Sequence, residues 1–132
     1  MFFYNLFLTK YICNFTEHII NINSFHFMKL AITSTGNNLE SKFDLRFGRT
    51  AWFCIYDKES ETLQFVLNEN KDSMGGAGTK TAEMVAELGV KQVISGDFGP
   101  KAKTLLERFE IQMIILNEEN STIQSILDKL KN

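Results

Sequence analysis

The chain has 132 residues, 44% of them apolar and 23% charged, with a formal net charge of −2 and a pI near 5.7. That length suits one domain with a real core, not two, and the acidic balance argues against a nucleic-acid partner, which usually requires a basic excess. The two cysteines, Cys13 and Cys54, stand far apart, which excludes a disulfide framework or a CxxC metal or redox pair and fits a reducing cytoplasm.

Residues 1–27 hold eight of the sixteen aromatic side chains and both histidines, His18 and His26, with no glycine, proline or alanine. Asn5 and Lys10 interrupt their apolar part. A secretory leader needs a continuous apolar stretch and a small-residue cleavage site, and a membrane span needs about 20 apolar residues. The segment meets neither description. Its bias ends at Met28, and it reads as a non-domain extension upstream of a natural start there, with an interfacial anchor as the alternative.

From Met28 onward the elements follow in order. Residues 29–34, KLAITS, form an apolar run ending in small polar residues, a central strand. Residues 35–48 are irregular, with Gly36-Asn37-Asn38 as a turn signal. AWFCIYD (51–57) and TLQFVLN (62–68), joined by a short polar link, predict a hairpin. Thr81, Met84, Val85 and Leu88 recur at helical spacing, and Gly89 supplies the stop. KQVISG (91–96) predicts a strand. DFGP then opens a helix with Pro100 in its first turn and Ala102, Leu105, Leu106 and Phe109 on its apolar face. IQMIIL (111–116) predicts a further strand. A last helix starts at Ser121, with Gln124 completing a capping box, and buries Ile123, Ile126, Leu127 and Leu130.

The order β-β-β-α-β-α-β-α predicts a mixed five-stranded sheet with helices on its faces: the first three strands antiparallel, the later ones parallel. Ligands of such sheets bind beyond the carboxyl ends of the parallel strands, near the switch in strand order. The loops expected there are 33–48 and 96–99, with the glycine loop ahead of the first helix nearby.

That glycine loop, DSMGGAGTKTAEM (72–84), imitates a nucleotide-binding loop and fails the test. A P-loop places lysine directly after its last glycine; here Thr79 separates Gly78 from Lys80, and Ser73 stands where the first glycine belongs. The dinucleotide pattern fails as well, because Thr81 stands where its third glycine belongs. Glycines at a helix start nevertheless expose free N–H groups beside the positive end of the helix dipole, where Lys80 is unfavourable unless an anion is present. The loop is thus either a plain crossover or an anion cradle. FDLRFGRT (43–50) adds Arg46 and Arg49 on either side of Phe47-Gly48. Two guanidiniums at that spacing either converge on one oxyanion or sulfide-rich face or lie solvated on the surface.

From Met28 on there is no histidine, and Cys54 sits inside an aromatic strand, where a buried, inert thiol is expected. No zinc set, four-thiolate cluster site or Ser-His-Asp arrangement can be assembled from these residues. Asp44, Asp57, Asp72 and Asp97 lie on turns and loops, which disfavours a two-metal nuclease. Met74 is either a soft sulfur ligand or an exposed loop methionine.

MKLAITSTG, SKFDLRFGRTAWFCIYD and GGAGTKTAEMVAELGVKQVISGDFGPKA resemble, in order and spacing, the dinitrogenase iron-molybdenum-cofactor family of small nitrogenase accessory proteins, over about residues 28–130. The resemblance implies a ribonuclease-H-like three-layer α/β fold with strand order 3-2-1-4-5. It also implies non-enzymatic binding of an iron-sulfur or iron-molybdenum cluster or its precursor. Carried over by position, the cofactor-binding residues are Thr33, Ser34 and Thr35; Arg46, Phe47, Gly48 and Arg49; Gly75, Gly76, Ala77, Gly78 and Thr79; and Gly96 and Gly99. Many members carry histidine before F-G-R, where this chain has Arg46. A guanidinium does not ligate metal, so no metal ligand is assigned. The mode implied is outer-sphere capture of an anionic cluster by Arg46, Arg49 and the loop N–H groups.

The function expected is that of a cytoplasmic carrier for an anionic metal–sulfur cofactor, not an enzyme, with cluster-assembly proteins as partners and neither nucleic acid nor membrane. The alternative is a regulatory or interaction module that binds another small anion or a protein partner without metal.

Overall fold

A computed structural model of the protein describes residues 28–131; the expectations for residues 1–27 and their Cys13, His18 and His26 lie outside the described residues. Eight elements follow in the expected order: β1 (Lys29–Ser34), β2 (Trp52–Asp57), β3 (Thr62–Leu67), α1 (Ala77–Glu87), β4 (Val90–Ser95), α2 (Pro100–Arg108), β5 (Gln112–Ile115) and α3 (Ile123–Lys131). They form an α/β structure with one mixed five-stranded sheet in the order β3-β2-β1-β4-β5. β1 pairs antiparallel with β2 and parallel with β4; β2–β3 is antiparallel and β4–β5 parallel. Central β1 is buried from Leu30 to Ser34, which explains why it reads as a continuous apolar run without alternation.

Alternation along the strands divides the core in two. On one face Ala31, Phe53, Ile55 and Val93 pack with Ala82 and Val85 of α1 and Ala102 and Leu106 of α2. On the other face Leu30, Ile32, Cys54 and Ile94 pack with Ile123, Ile126 and Leu127 of α3. Each large side chain buried completely, such as Phe43, Phe47, Phe53 or Leu106, contributes about 1.5–3 kcal/mol over its exposed state.

The start of α3 departs from the sequence expectation. Ser121 donates its hydroxyl to Glu118, and Gln124 donates to Asp128, so no capping box forms. Thr122 is the cap instead, its Oγ1 accepting the Ser125 N–H at 3.1 Å. The reason is tertiary: the Ile123 and Gln124 N–H groups donate to the Ser41 and Leu39 carbonyls at 2.9 and 3.0 Å. The neighbouring loop satisfies the amides that a capping box would otherwise serve.

Strand direction brings four strand ends to one edge of the sheet. β1 and β4 end there, β2 begins there and β3 ends there, as the pairs Ser34–Trp52 and Trp52–Leu67 require. The 35–51 loop, the 68–76 loop with the start of α1, and the 96–99 loop with the start of α2 therefore share that edge.

Candidate functional site

The FGR motif is built as an anchor between two arms. Phe47 is 1% exposed, and its ring lies against Phe53 and Phe98 with centroids 5.8 and 5.1 Å apart. The Phe47 N–H donates to the Asp97 carbonyl at 3.3 Å, and Arg46 bridges Asp97 in parallel. Burying the phenyl ring leaves Arg46 and Arg49 exposed on either side of it.

Gly48 is required by close approach. A Cβ there would lie 2.8 Å from Gly78 Cα and 2.9 Å from its nitrogen, both backbone atoms of the first turn of α1. The Gly48 carbonyl accepts from Asn68 Nδ2 at 3.2 Å and from Thr81 Oγ1 at 3.1 Å. Asn68 also donates to the Thr50 carbonyl at 2.9 Å. Asn68 and Thr81 are buried, so this network locks the arginine loop to β3 and α1. Thr81 owes its burial to this hydrogen bond as well as to its place on the apolar helical face.

The two arginines are held differently. Arg46 forks onto Asp44, Nε to Oδ1 at 3.1 Å and Nη2 to Oδ2 at 3.2 Å, while its backbone N–H donates to the same carboxylate at 3.0 Å. Asp44 is buried and the Arg46 side chain is 67% exposed. The hydrogen bond to Asp44, and then its charge, push the guanidinium even higher than its ordinary value, so Arg46 stays cationic with part of its charge neutralised. Arg49 donates from Nη1 to the Lys71 carbonyl at 2.7 Å. This bond satisfies an acceptor without cancelling charge.

Both arginines line a cleft of about 500 Å³. Its other walls are Gly76, Ala77, Gly78 and Thr79 at the start of α1, and Asp97, Gly99, Pro100, Lys101 and Ala102 at the start of α2. The N-caps of these helices are Gly76 and Gly99, and neither carries a side-chain cap. Gly76 sits at φ +70°, a left-handed conformation that glycine adopts freely. The first-turn amides of two helices, with their positive dipole ends, therefore border one cavity that also carries three cationic side chains.

The residues carried over from the sequence are distributed unevenly. Arg46, Phe47, Gly48, Arg49, Gly76, Ala77, Gly78, Thr79 and Gly99 line the cleft. Thr33 and Ser34 are fully buried under the site: Thr33 Oγ1 approaches Ser95 Oγ at 3.2 Å, and the Ser34 N–H donates to Thr50 Oγ1 at 3.1 Å. Thr35 is exposed on the 35–42 turn and pairs with Lys42. Gly96 packs against Leu45, and Gly75 is exposed on the approach to α1.

Asp97 lies in the 96–99 loop expected at this edge, whereas sequence reasoning missed Pro100, Lys101 and Ala102 as cleft residues, and Asn68 as the hub behind them. A signal for Lys101 was present: it follows Pro100 in a helix's first turn, the position argued for Lys80 on the other helix. Met74 is fully exposed, and Cys54 is buried in β2, where burial pushes its thiol up to about 12. Among the described residues no three His, Cys, Asp or Glu side chains are grouped to hold a metal ion. No helix among them is long and apolar enough to cross a membrane.

Fold and cleft together define an α/β domain with a cleft at the carboxyl edge of its sheet, lined by three cationic side chains and two helix starts. The chain belongs to the dinitrogenase iron-molybdenum cofactor family, whose model matches residues 28–132. It is similar to the apo form of the orange protein of Desulfovibrio gigas, with 28% identity, a TM-score of 0.73, and coverage of 80% of this chain and 88% of that one. It is likewise similar to a NifB-like protein of Thermotoga solved by NMR, with 30% identity, a TM-score of 0.68, and coverage of 79% and 87%. An uncharacterized protein of Methanocaldococcus jannaschii is 29% identical over 93 residues, 68% of this chain and 75% of that relative.

Proposed function

We propose that this chain binds an anionic metal–sulfur cluster of the iron-sulfur or iron-molybdenum type, or a precursor of one, and carries it without transforming it. The observation that supports this reading most directly is the convergence of two uncapped helix starts with Arg46, Arg49 and Lys101 on one cleft. Fixed amide donors, dipole ends and forked guanidiniums match a polyanion with many acceptor atoms, and they do so without reorganisation on binding. The donor set fits a cluster held by its anionic periphery rather than by a ring of protein ligands. The family, and a structural relative described in an apo form, support a cofactor-related role.

Within this reading residues 28–132 are the working domain, the protein acts in the cytoplasm, and its exchange partners are cluster-assembly proteins, not nucleic acid or membrane. The antiparallel β2 beside a central β1 supports grouping the fold with ribonuclease-H-like domains. The test is anaerobic purification with iron, molybdenum and sulfide analysis, followed by uptake titration. Each guanidinium hydrogen bond to an anion is worth about 1.5–3 kcal/mol, so the Arg46→Ala/Arg49→Ala variant should bind a cluster at least roughly 100-fold more weakly. Wild-type uptake by that variant would sink the proposal.

A second reading, a regulatory or interaction module for another small anion or a protein partner, is favoured by the engagement of Arg46 with Asp44. A guanidinium already forked onto a carboxylate has fewer donors left for a large cluster. A thermal-shift screen of phosphates, nucleotides and organic acids separates the two, because a true ligand at 100 times its Kd stabilises by about 2.7 kcal/mol.

A further inference from the structure

β3 is an edge strand without the usual guards. A sheet edge presents a row of free N–H and C=O groups, and native sheets blunt it with lysine, proline, a bulge or a very short strand. At the opposite edge β5 is only four residues long. β3 has six, TLQFVL, with no charge, proline or glycine, and it pairs with β2 from Thr62 to Leu67 without a bulge. The Asn68 N–H donates to the Ala51 carbonyl at 2.9 Å, so residue 68 turns its backbone toward β2. Antiparallel ladders alternate: Val66, Gln64 and Thr62 turn to β2 as well, and Leu63, Phe65 and Leu67 turn their N–H and C=O groups outward. Among the described residues those groups have no hydrogen-bond partner.

The side chains of the same three residues share the α3 face of the sheet. Phe65 is partly buried against the core there, while Leu63 and Leu67 are 38% and 47% exposed. The stripe reads Leu, Phe, Leu from either end, and a two-fold contact requires a surface that matches itself. An axis normal to the sheet at Phe65 sets Phe65 opposite Phe65 of a second copy and Leu63 opposite Leu67. Every outward N–H and C=O group of the three residues then has a partner, whereas a shifted register leaves some unpaired. Gln64 faces Val66 on the other side of the sheet. Glu61 and Glu69 meet only beyond the ends of the ladder.

We propose that the β3 edge is the surface by which two copies of this chain associate, joining two five-stranded sheets into one of ten strands. Six residues a side fall well short of the roughly 20–30 in a standard interface, so the association is reversible. The two β3 strands run in opposite directions, which leaves the two clefts at opposite ends of the joined sheet. The inference is therefore independent of the function proposed above.

The test is sedimentation velocity of the full chain over a roughly hundredfold concentration range, together with disulfide trapping. Wild type should pass from monomer to dimer and stop there, because a two-fold contact closes. Salt should tighten the dimer by screening Glu61 from Glu69. Leu63→Lys/Leu67→Lys restores the missing guards at exposed positions and should weaken association at least roughly tenfold. In a Cys13→Ser background, Leu63→Cys/Leu67→Cys should oxidise to a covalent dimer, since opposed residues of a hydrogen-bonded pair stand about 5.5 Å apart between Cα atoms, within disulfide reach. Leu63→Cys alone should stay monomeric, because residue 63 faces 67 and not itself. Wild type that stays monomeric throughout, or grows beyond the dimer, overturns the inference, as does trapping of Leu63→Cys alone as fast as of the pair. A chain that stays monomeric yet binds a foreign strand peptide also overturns it and assigns the edge to another protein.

Discussion

The three helices among the described residues begin in two different ways. α3 starts against protein: Ser41 and Leu39 carbonyls receive the Ile123 and Gln124 amides, and Thr122 caps Ser125. α1 and α2 start at Gly76 and Gly99 beside the cleft, with no side-chain cap. The first amides of any helix need acceptors. At α3 the fold supplies carbonyls; at α1 and α2 it places guanidiniums around the opening instead, which is what an external anion as acceptor requires in the function proposed above. Both faces of the sheet are covered by helices, and the cleft lies at the edge where α1 and α2 begin.

The most damaging way to break this contrast is Gly48→Ala. The new methyl group would meet the backbone of Gly78, which cannot yield as a side chain does. The arginine loop should separate from α1 at a cost of about 1–3 kcal/mol, read as a lower urea midpoint together with loss of anion binding. Gly99→Asp should come next. Gly99 is extended at φ −64°, ψ 158°, and a Cβ there meets nothing within 4 Å, so a capping carboxylate fits. Stability should rise by a few tenths of a kcal/mol, and affinity for an anion should fall by roughly tenfold. A more stable protein that binds as well as before would show that the α2 amides are not used. Thr122→Ala should cost about 1 kcal/mol at the start of α3 and leave ligand titrations unchanged.

The smallest effect at neutral pH concerns Cys54, on the α3 face. Burial holds its thiol up at about 12, against an ordinary 9.0. The folded value lies above the unfolded one, so the stability it contributes is full below pH 9.0 and is lost as pH rises toward about 12. In a Cys13→Ser background a thiol reagent should label Cys54 only on unfolding, and Cys54→Val should flatten the alkaline decline in the urea midpoint.

The strands and helices were legible because their signals are local. KLAITS is apolar on both faces of a central strand, and Pro100 does begin α2. Arg46, Arg49, Gly76, Gly78 and Gly99, singled out from the sequence, do line one cleft, though the sequence alone left a plain crossover loop and solvated arginines equally open. The helix phase was not legible. Lys80 drew the attention in the sequence, and both lysines do lie in first turns, yet only Lys101 lines the cleft, because which side of a first turn faces the opening is set by how each helix packs on the sheet. The hub at Asn68 was also hidden, since the end of an alternating strand carries no mark of the loop it will hold.

Residue order alone determined which segments are strands and helices, that the later strands alternate with helices, and where flexible backbone meets positive charge. Tertiary structure decided what those features face. Thr33 and Ser34 became floor rather than wall, and Asp44 took hold of Arg46. The reason is range. Propensity and periodicity act within a turn or a strand, whereas hydrogen bonds and charge act between segments that lie dozens of residues apart in the chain.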